Sequence, residues 1–359
     1  MITASTQGSG LLTHRRFLPA QARISPAILD RFSPSPDKNP TQILQEAPCG
    51  DGPNDGEHGA RHLSGKLRIN GLEGGGARPG EPALLEIDFQ DPQTGRRLVD
   101  FEMEHEKLLH TLIVSDDLSS YAHVHPQLVC DGTFRIGINQ PNNDPDSQGA
   151  VEAINKPGRY IVLNEVKPTG QETQQVRLKL EAPGPSPLSP SISLLPDEIS
   201  PNGSIRKFFD SNGNEGDPGA TYQVTLSRSK PDGDSPMLHF HFNLQTAHHG
   251  AHYQPIENVE PWLGMQGHAV MIGANGNWDE KEFRHLHAGG HGQQKVSTPP
   301  PSVIMDGGHP PHDPPGHGSG PDFTFMLEDV PPDGVYKIWA QFKHEGKIRT
   351  FPFIVQLLG

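Results

Sequence analysis

The chain has 359 residues, a length that suits two or three domains of ordinary size. Its formal charge is −14 with no basic stripe, which argues against nucleic-acid or anionic-membrane binding, because phosphate would repel it. The 20 His stand against only 2 Cys and 7 Met, which argues against a disulfide-stapled mini-protein, a Cys-based zinc finger and an iron–sulfur protein.

Residues 1–62 are rich in Pro, Gly, Ser, Asp and Asn and read as a disordered tail. Within it, Thr13–Leu18 has the look of a twin-arginine signal, but no apolar core of roughly 7–15 residues follows, so no convincing export signal is read. No apolar run approaches the roughly 20 residues of a membrane span. The first block, 63–181, carries strand patterns at Ala83–Phe89, Leu109–Ser115, Ser120–His125, Thr133–Ile138, Gly158–Val166 and Gln175–Glu181. Residues 182–219 contain Pro183, Pro185, Pro187 and Pro190 and then turn-rich sequence, and read as a linker.

The second block, 220–359, has strand patterns at Tyr222–Leu226, Leu238–Leu244, His268–Gly273, Phe283–His287, Phe323–Leu327, Gly334–Phe342 and Lys347–Leu357. It is interrupted by a His/Gly/Pro-rich insertion over 288–321. No segment holds a helical period over three turns. The fold expected is therefore all-β: two tandem immunoglobulin-like β-sandwich domains behind a disordered N-terminal tail.

The two blocks repeat one another. His110–Ser115 aligns with His268–Gly273, Tyr121–Pro126 with Phe283–Ala288, and Gly132–Ile136 with Asp322–Met326. Pro157–Tyr160 aligns with Pro332–Tyr336, and Leu85–Phe89 with Leu238–Phe242. Five correspondences in the same order point to a tandem duplication of a whole domain.

The duplicated feature that carries chemistry is His110 with His123 and His125, repeated as His268 with His285 and His287. In a strand, residues i and i+2 share a face. A hairpin turning at Asp116–Ser119 would set His110 opposite His125, with His123 diagonal to it. Three imidazoles at that spacing can converge on one ion at roughly 2.0–2.1 Å. His105 is a further candidate at the strand entry. His-x-His also occurs in ordinary strands, where a backbone carbonyl satisfies a buried imidazole; the duplication is what favours metal. His239 and His241 form a third pair, expected to point away from the core and aligned with Glu86 and Asp88, so a solvated face competes with a ligand role. His248, His249 and His252, and the scattered His291, His309, His312 and His317, lie in loops without preset geometry.

Imidazole without thiolate suits copper, or alternatively zinc or nickel, and copper stands highest in the stability order of divalent ions. No phosphate loop, nucleophile elbow or His-Glu-x-x-His zinc motif is present. Cys49 and Cys130 carry no disulfide assignment.

Residues His105–Pro126 resemble the hallmark of bacterial two-domain β-sandwich proteins that are usually described as secreted or heavy-metal-associated. Val259–His268 resembles the lead-in to the second domain of that group, and Gly334–Phe342 its closing strand. The resemblance spans about 65–181 and 220–357. The domains are more loosely similar to the CopC-like and YtkA-like immunoglobulin-like modules of copper handling. The resemblance implies copper or another late transition metal and a periplasmic or secreted location, while the missing signal leaves the cytoplasm open. Two departures are the missing signal peptide and Ala288 where the first copy has Pro126.

The leading functional expectation is a non-enzymatic metal-binding protein that buffers or delivers copper, with the metal ion and a metal-accepting or membrane-complex protein as partners. Two alternatives stand beside it. One is a structural immunoglobulin-like module that scaffolds a partner or a membrane complex. The other is a copper-dependent enzyme like superoxide dismutase, although the bridging-His and Asp zinc set of that enzyme has no recognisable counterpart.

Overall fold

Alternating apolar residues bounded by Gly, Pro and Asn-rich turns leave strand as the only regular structure that can bury one face and solvate the other. A computed structural model describes residues 63–129, 131–141, 144–184, 194–230, 237–248, 252–274, 283–290, 321–327 and 330–358. They belong to one compact unit, 48–359. The proposed tail 1–62, residues 291–320 of the insertion, and Cys49 and Cys130 lie outside the described residues.

The first half contains β1 (Ser64–Ile69), β2 (Leu72–Glu73), β3 (Ala83–Gln90), β4 (Phe101–Glu102), β5 (Leu109–Ser115), β6 (Tyr121–Val124), β7 (Gln127–Leu128), β8 (Thr133–Ile138), β9 (Gly158–Pro168) and β10 (Gln174–Ala182). One sheet runs β2-β1-β3-β8-β7 and the other β10-β9-β5-β6, with β4 paired to β9. Between them lies a core that includes Leu85, Ile87, Phe89, Ile113, Phe134 and Val162. Each such side chain contributes about 1.5–3 kcal/mol on burial.

The second half contains β11 (Ile205–Phe209), β12 (Glu215–Gly216), β13 (Tyr222–Ser229), β14 (Leu238–His248), β15 (His252–Pro255), β16 (Val259–Glu260), β17 (His268–Gly273), β18 (Phe283–Gly290), β19 (Asp322–Leu327), β20 (Gly334–His344) and β21 (Lys347–Leu357). Its ladder runs β12-β11-β13-β14-β19-β18-β17-β20-β16, with β15 on β14 and β21 on β20. The two faces of this sandwich are joined through β18: Phe283–His287 pair with β17, and Ala288–Gly290 pair with β19. The first half breaks the equivalent strand. Pro126 has no N–H to donate, so β6 ends at Val124 and β7 restarts against β8 in the opposite sheet. In the second half Ala288 keeps its N–H, which donates to the Gly267 carbonyl at 2.9 Å, and the strand continues.

The all-β expectation holds, and two of its boundaries are corrected. The expected linker 182–219 contributes β11, whose Ile205 and Phe209 enter the core of the second sandwich. Its Asp197 also accepts from Lys207 Nζ at 3.2 Å and from the Ile354 N–H at 2.7 Å. The alternation of β11 (Ile205, Lys207, Phe209 inward) was hidden by the charges of Arg206 and Lys207. The insertion expected from 288 begins later, because Ala288–Gly290 are strand.

The two sandwiches pack sheet against sheet. Along β5, Leu109 and Ile113 face their own core, while Leu112 and Val114 face the other domain. Along β17, Ala269 and Met271 face inward, while Val270 and Ile272 face out to the interface. With Leu118, Leu163, Phe283 and Trp339 these form a third apolar layer between the sandwiches. Every residue of β5 and of β17 is therefore buried. This double coverage explains why both strands read as near-continuous apolar runs. Tyr121 stacks on Trp339 across the interface, with ring centroids 4.8 Å apart.

Candidate metal centre

The interface layer ends in histidine. His110 follows Leu112 and Val114 on the outer face of β5, and His268 follows Val270 and Ile272 on that of β17. The pairing of β5 with β6 sets Thr111 against Val124, which places His110 level with His125. In the copy, His268 pairs directly with His287 and Val270 with His285. In each triad, one ligand nitrogen from every histidine lies within 4.8 Å of the other two. The hairpin geometry expected from the sequence is thus the observed one, and both triads form.

The hydrogen bonds decide which nitrogens are free. His110 Nε2 lies 3.0 Å from the Glu104 carbonyl oxygen, which can only accept, so this nitrogen carries the proton. His123 Nδ1 lies 3.0 Å from Gln341 Oε1, and the Gln341 amide nitrogen donates to Gln148 Oε1 at 2.6 Å. His125 Nδ1 lies 2.9 Å from the Asp144 carboxylate, which also accepts from Lys107 at 2.9 Å. Each imidazole thus spends its N–H on a supporting oxygen. The lone pairs of His110 Nδ1, His123 Nε2 and His125 Nε2 are left facing one another. The first two are 3.4 Å apart, and His125 Nε2 is buried with no hydrogen-bond partner. Three converging lone pairs repel unless a cation sits among them.

The second triad repeats the three-histidine geometry with fewer supports. His285 Nδ1 bonds the Glu165 carboxylate. His285 Nε2, His287 Nε2 and both nitrogens of His268 are buried without a partner. A histidine network that merely braced the fold would satisfy these groups, since an unpaired buried polar group costs about 1–3 kcal/mol.

The supports cross the interface reciprocally. Glu165 pairs with His110 on neighbouring strands, and Gln341 pairs with His268 in the same way. Glu165 then reaches His285 of the second domain, while Gln341 reaches His123 of the first. These positions are equivalent in the duplication, each five residues beyond the aligned Tyr160 and Tyr336. Tyr121 adds a hydroxyl donated to Gln341 Oε1 at 2.9 Å. Trp262 covers both triads, its ring centroid 4.7 Å from His268 and 5.3 Å from His123.

His105 is the seventh histidine of the cluster. It and Glu106 have φ of 48° and 64°, so two consecutive non-glycine residues occupy the left-handed region at the tip of a tight hairpin closed by Glu104 and Lys107. This turn presents the Glu104 carbonyl to His110 and lays the His105 ring 4.0 Å from that of His287. The equivalent turn in the second half is Leu263–Gly264, so His105 has no counterpart there.

Burial disfavours protonation of six of the seven rings. Burial, reinforced by His125 and His285, pushes His110 down to about 3. Burial likewise pushes His123 and His268 well below the ordinary histidine value and lowers His125 and His105. Burial and His285 bring His287 to about 2. Burial opposes ionisation of Glu165, but His285, His110 and Gln175 outweigh it and hold the carboxyl down to about 2. Neutral imidazole is the form that binds a metal.

His239 and His241 are not brought to this cluster. They lie on β14 on the far side of the second sandwich core, and His241 bonds Ser229 Oγ at 2.7 Å and Thr324 Oγ1 at 3.0 Å. Their counterparts Glu86 and Asp88 are ion-paired with Arg135 and Arg68 but are buried under them, not solvated as expected. His291, His309, His312 and His317 lie outside the described residues. Sequence reading missed Glu165, Gln341, Asp144 and the Glu104 carbonyl. The first two could have been found from the duplication, since both stand at the same step past the repeated Tyr.

The sequence matches a domain family described as Domain of unknown function (DUF8832) over residues 217–358, the second sandwich. No curated protein matches it. Among solved structures, the chain is similar to a point mutant of Salmonella alpha-2-macroglobulin at 11% identity, covering 83% of this chain. This chain spans only 15% of that structure, and the TM-score is 0.18, so the likeness carries no argument here. Among the described residues no helix is long and apolar enough to cross a membrane.

Proposed function

We propose that this protein binds a late transition metal, copper by preference, and buffers it or passes it to an accepting protein. The observation that carries the reading is the first triad, where three imidazole lone pairs converge while each ring's other nitrogen is already bonded. Such supporting bonds fix the tautomer and raise ligand basicity, as in known metal sites. An all-imidazole set favours Cu(II), Zn(II) or Ni(II), and copper binds most tightly in the usual order. When bound, the ion would be held by His110, His123 and His125, with His268, His285 and His287 as the copy. His105 and His287, only partly buried, lie at the accessible edge of the cluster and give the ion a way in and out. A place outside the cytoplasm belongs to this reading on the sequence resemblance alone.

The test is metal analysis of the purified full chain after dialysis against Cu(II), Zn(II) or Ni(II), repeated on His123→Ala with His125→Ala. Retention of copper in the wild type and loss of one equivalent in the double variant are expected. Equal copper content in the two proteins would sink the idea.

A further inference from the structure

Within each triad the ring centroids lie between 4.7 Å, for His285 and His287, and 5.6 Å, for His110 and His123. Between triads the spacing scarcely grows. His123 lies 5.6 Å from His285 and 6.2 Å from His268, and His110 lies 6.0 Å from His285. His105 joins the two sets, 6.1 Å from His110 and 6.3 Å from His268. The six triad rings form one continuous cluster across the domain interface. They do not form a site and a distant copy.

Resting on the metal-binding reading above, we infer that the two triads are halves of a single binuclear centre, which takes two late-transition-metal ions and a small anionic oxygen ligand such as hydroxide between them. Three protein ligands leave a tetrahedral ion one open position. The two triads project from the facing sides of β5/β6 and β17/β18, so an ion held by either triad would lie at the interface beside the other. Two divalent ions in adjacent buried sites repel strongly, and a shared anion offsets that repulsion. The cross-domain supports fit the same plan. Glu165 of the first sandwich holds His285, and Gln341 of the second holds His123, so one histidine of each half is oriented by the other domain. Binding of the ion pair is thereby tied to the docking of the two sandwiches.

The test is electron paramagnetic resonance on the full chain titrated with Cu(II). One equivalent should give the spectrum of an isolated ion in a nitrogen environment. A second bound equivalent should not double the intensity: dipolar broadening, a half-field transition or loss of signal is expected from two ions this close. His285→Ala with His287→Ala, checked for folding by circular dichroism, should bind one copper and keep an undiminished isolated-ion signal. Two bound ions with additive, unbroadened spectra, or one ion per wild-type chain, would overturn the binuclear centre and leave the metal-binding reading standing. A coupled signal that persists in the double variant would overturn the assignment of its ligands. A chain that retains no copper at all would remove both.

Discussion

The two triads repeat the same three histidines and differ in who supports them. The first draws most of its support from its own domain: the Glu104 carbonyl behind His110 and Asp144 behind His125, with only Gln341 reaching in. The second borrows its carboxylate, because Glu165 behind His285 belongs to the first sandwich. Equivalent positions thus hold Glu165 in one copy and Gln341 in the other, and the first domain supplies both carboxylates. Likewise His105 replaces the apolar Leu263 of the other turn and leans on the second triad. The two halves repeat the histidines and differ in the residues behind them, where the donor strength of an imidazole is tuned.

The comparison is tested most strongly by removing ligands. His123→Ala with His125→Ala and His285→Ala with His287→Ala should each cost one copper equivalent, measured by mass spectrometry of the dialysed protein. Loss of both ions in either variant would show that the halves cannot fill separately. Trp339→Ala should cost about 3–5 kcal/mol in a denaturant titration, since it empties the apolar layer and unstacks Tyr121. It should also weaken both sites together, because both depend on docking.

The supports can be separated by two isosteric changes. Asp144→Asn should weaken the first site and Glu165→Gln the second, each by about 10–100-fold in competition with a chelator. Equal weakening of both sites by both variants would erase the distinction between own and borrowed support. His105→Leu installs the residue of the other turn and should change copper affinity less than about 10-fold, the low end of the effect of an outer residue. A loss as large as that of a direct ligand would make His105 a fourth ligand.

The smallest effect concerns the turn that sets the first triad. Burial works against ionisation of Asp117, but Lys156, Ser115 and Ser119 hold it down to about 2. A carboxyl depressed in the folded state stabilises it above the ordinary value of 3.8, and that contribution is lost as pH falls from 3.8 towards 2. Asp117→Asn should flatten this part of the curve of melting temperature against pH for the metal-free protein. An unchanged slope would show that the turn is held by Leu118 in the interface instead.

Much of the site was legible in the chain because strand geometry is local. His123 and His125 share a face by the period of two, and the short turn at Asp116–Ser119 sets His110 against them. The strands β1 and β11 are hard to read in the chain, because their outward charges, Lys66 and Arg68 in one and Arg206 in the other, mask a short inward alternation. Asp144 escaped because its bond to His125 spans a loop with no period to read.

The sequence by itself determined the all-β class, the duplication and the membership of both triads, since each follows from period, turn and repeat over a few residues. Only the tertiary structure decided that the triads face each other. The burial of β5 and β17 on both sides was written in their continuous apolar runs, but such runs do not say what covers the second face. The covering surface lies more than a hundred residues away in the chain. Its choice depends on the summed fit of Leu112, Val114, Leu163, Val270, Ile272 and Trp339, together with the bonds from Glu165 and Gln341, and no local pattern encodes that sum.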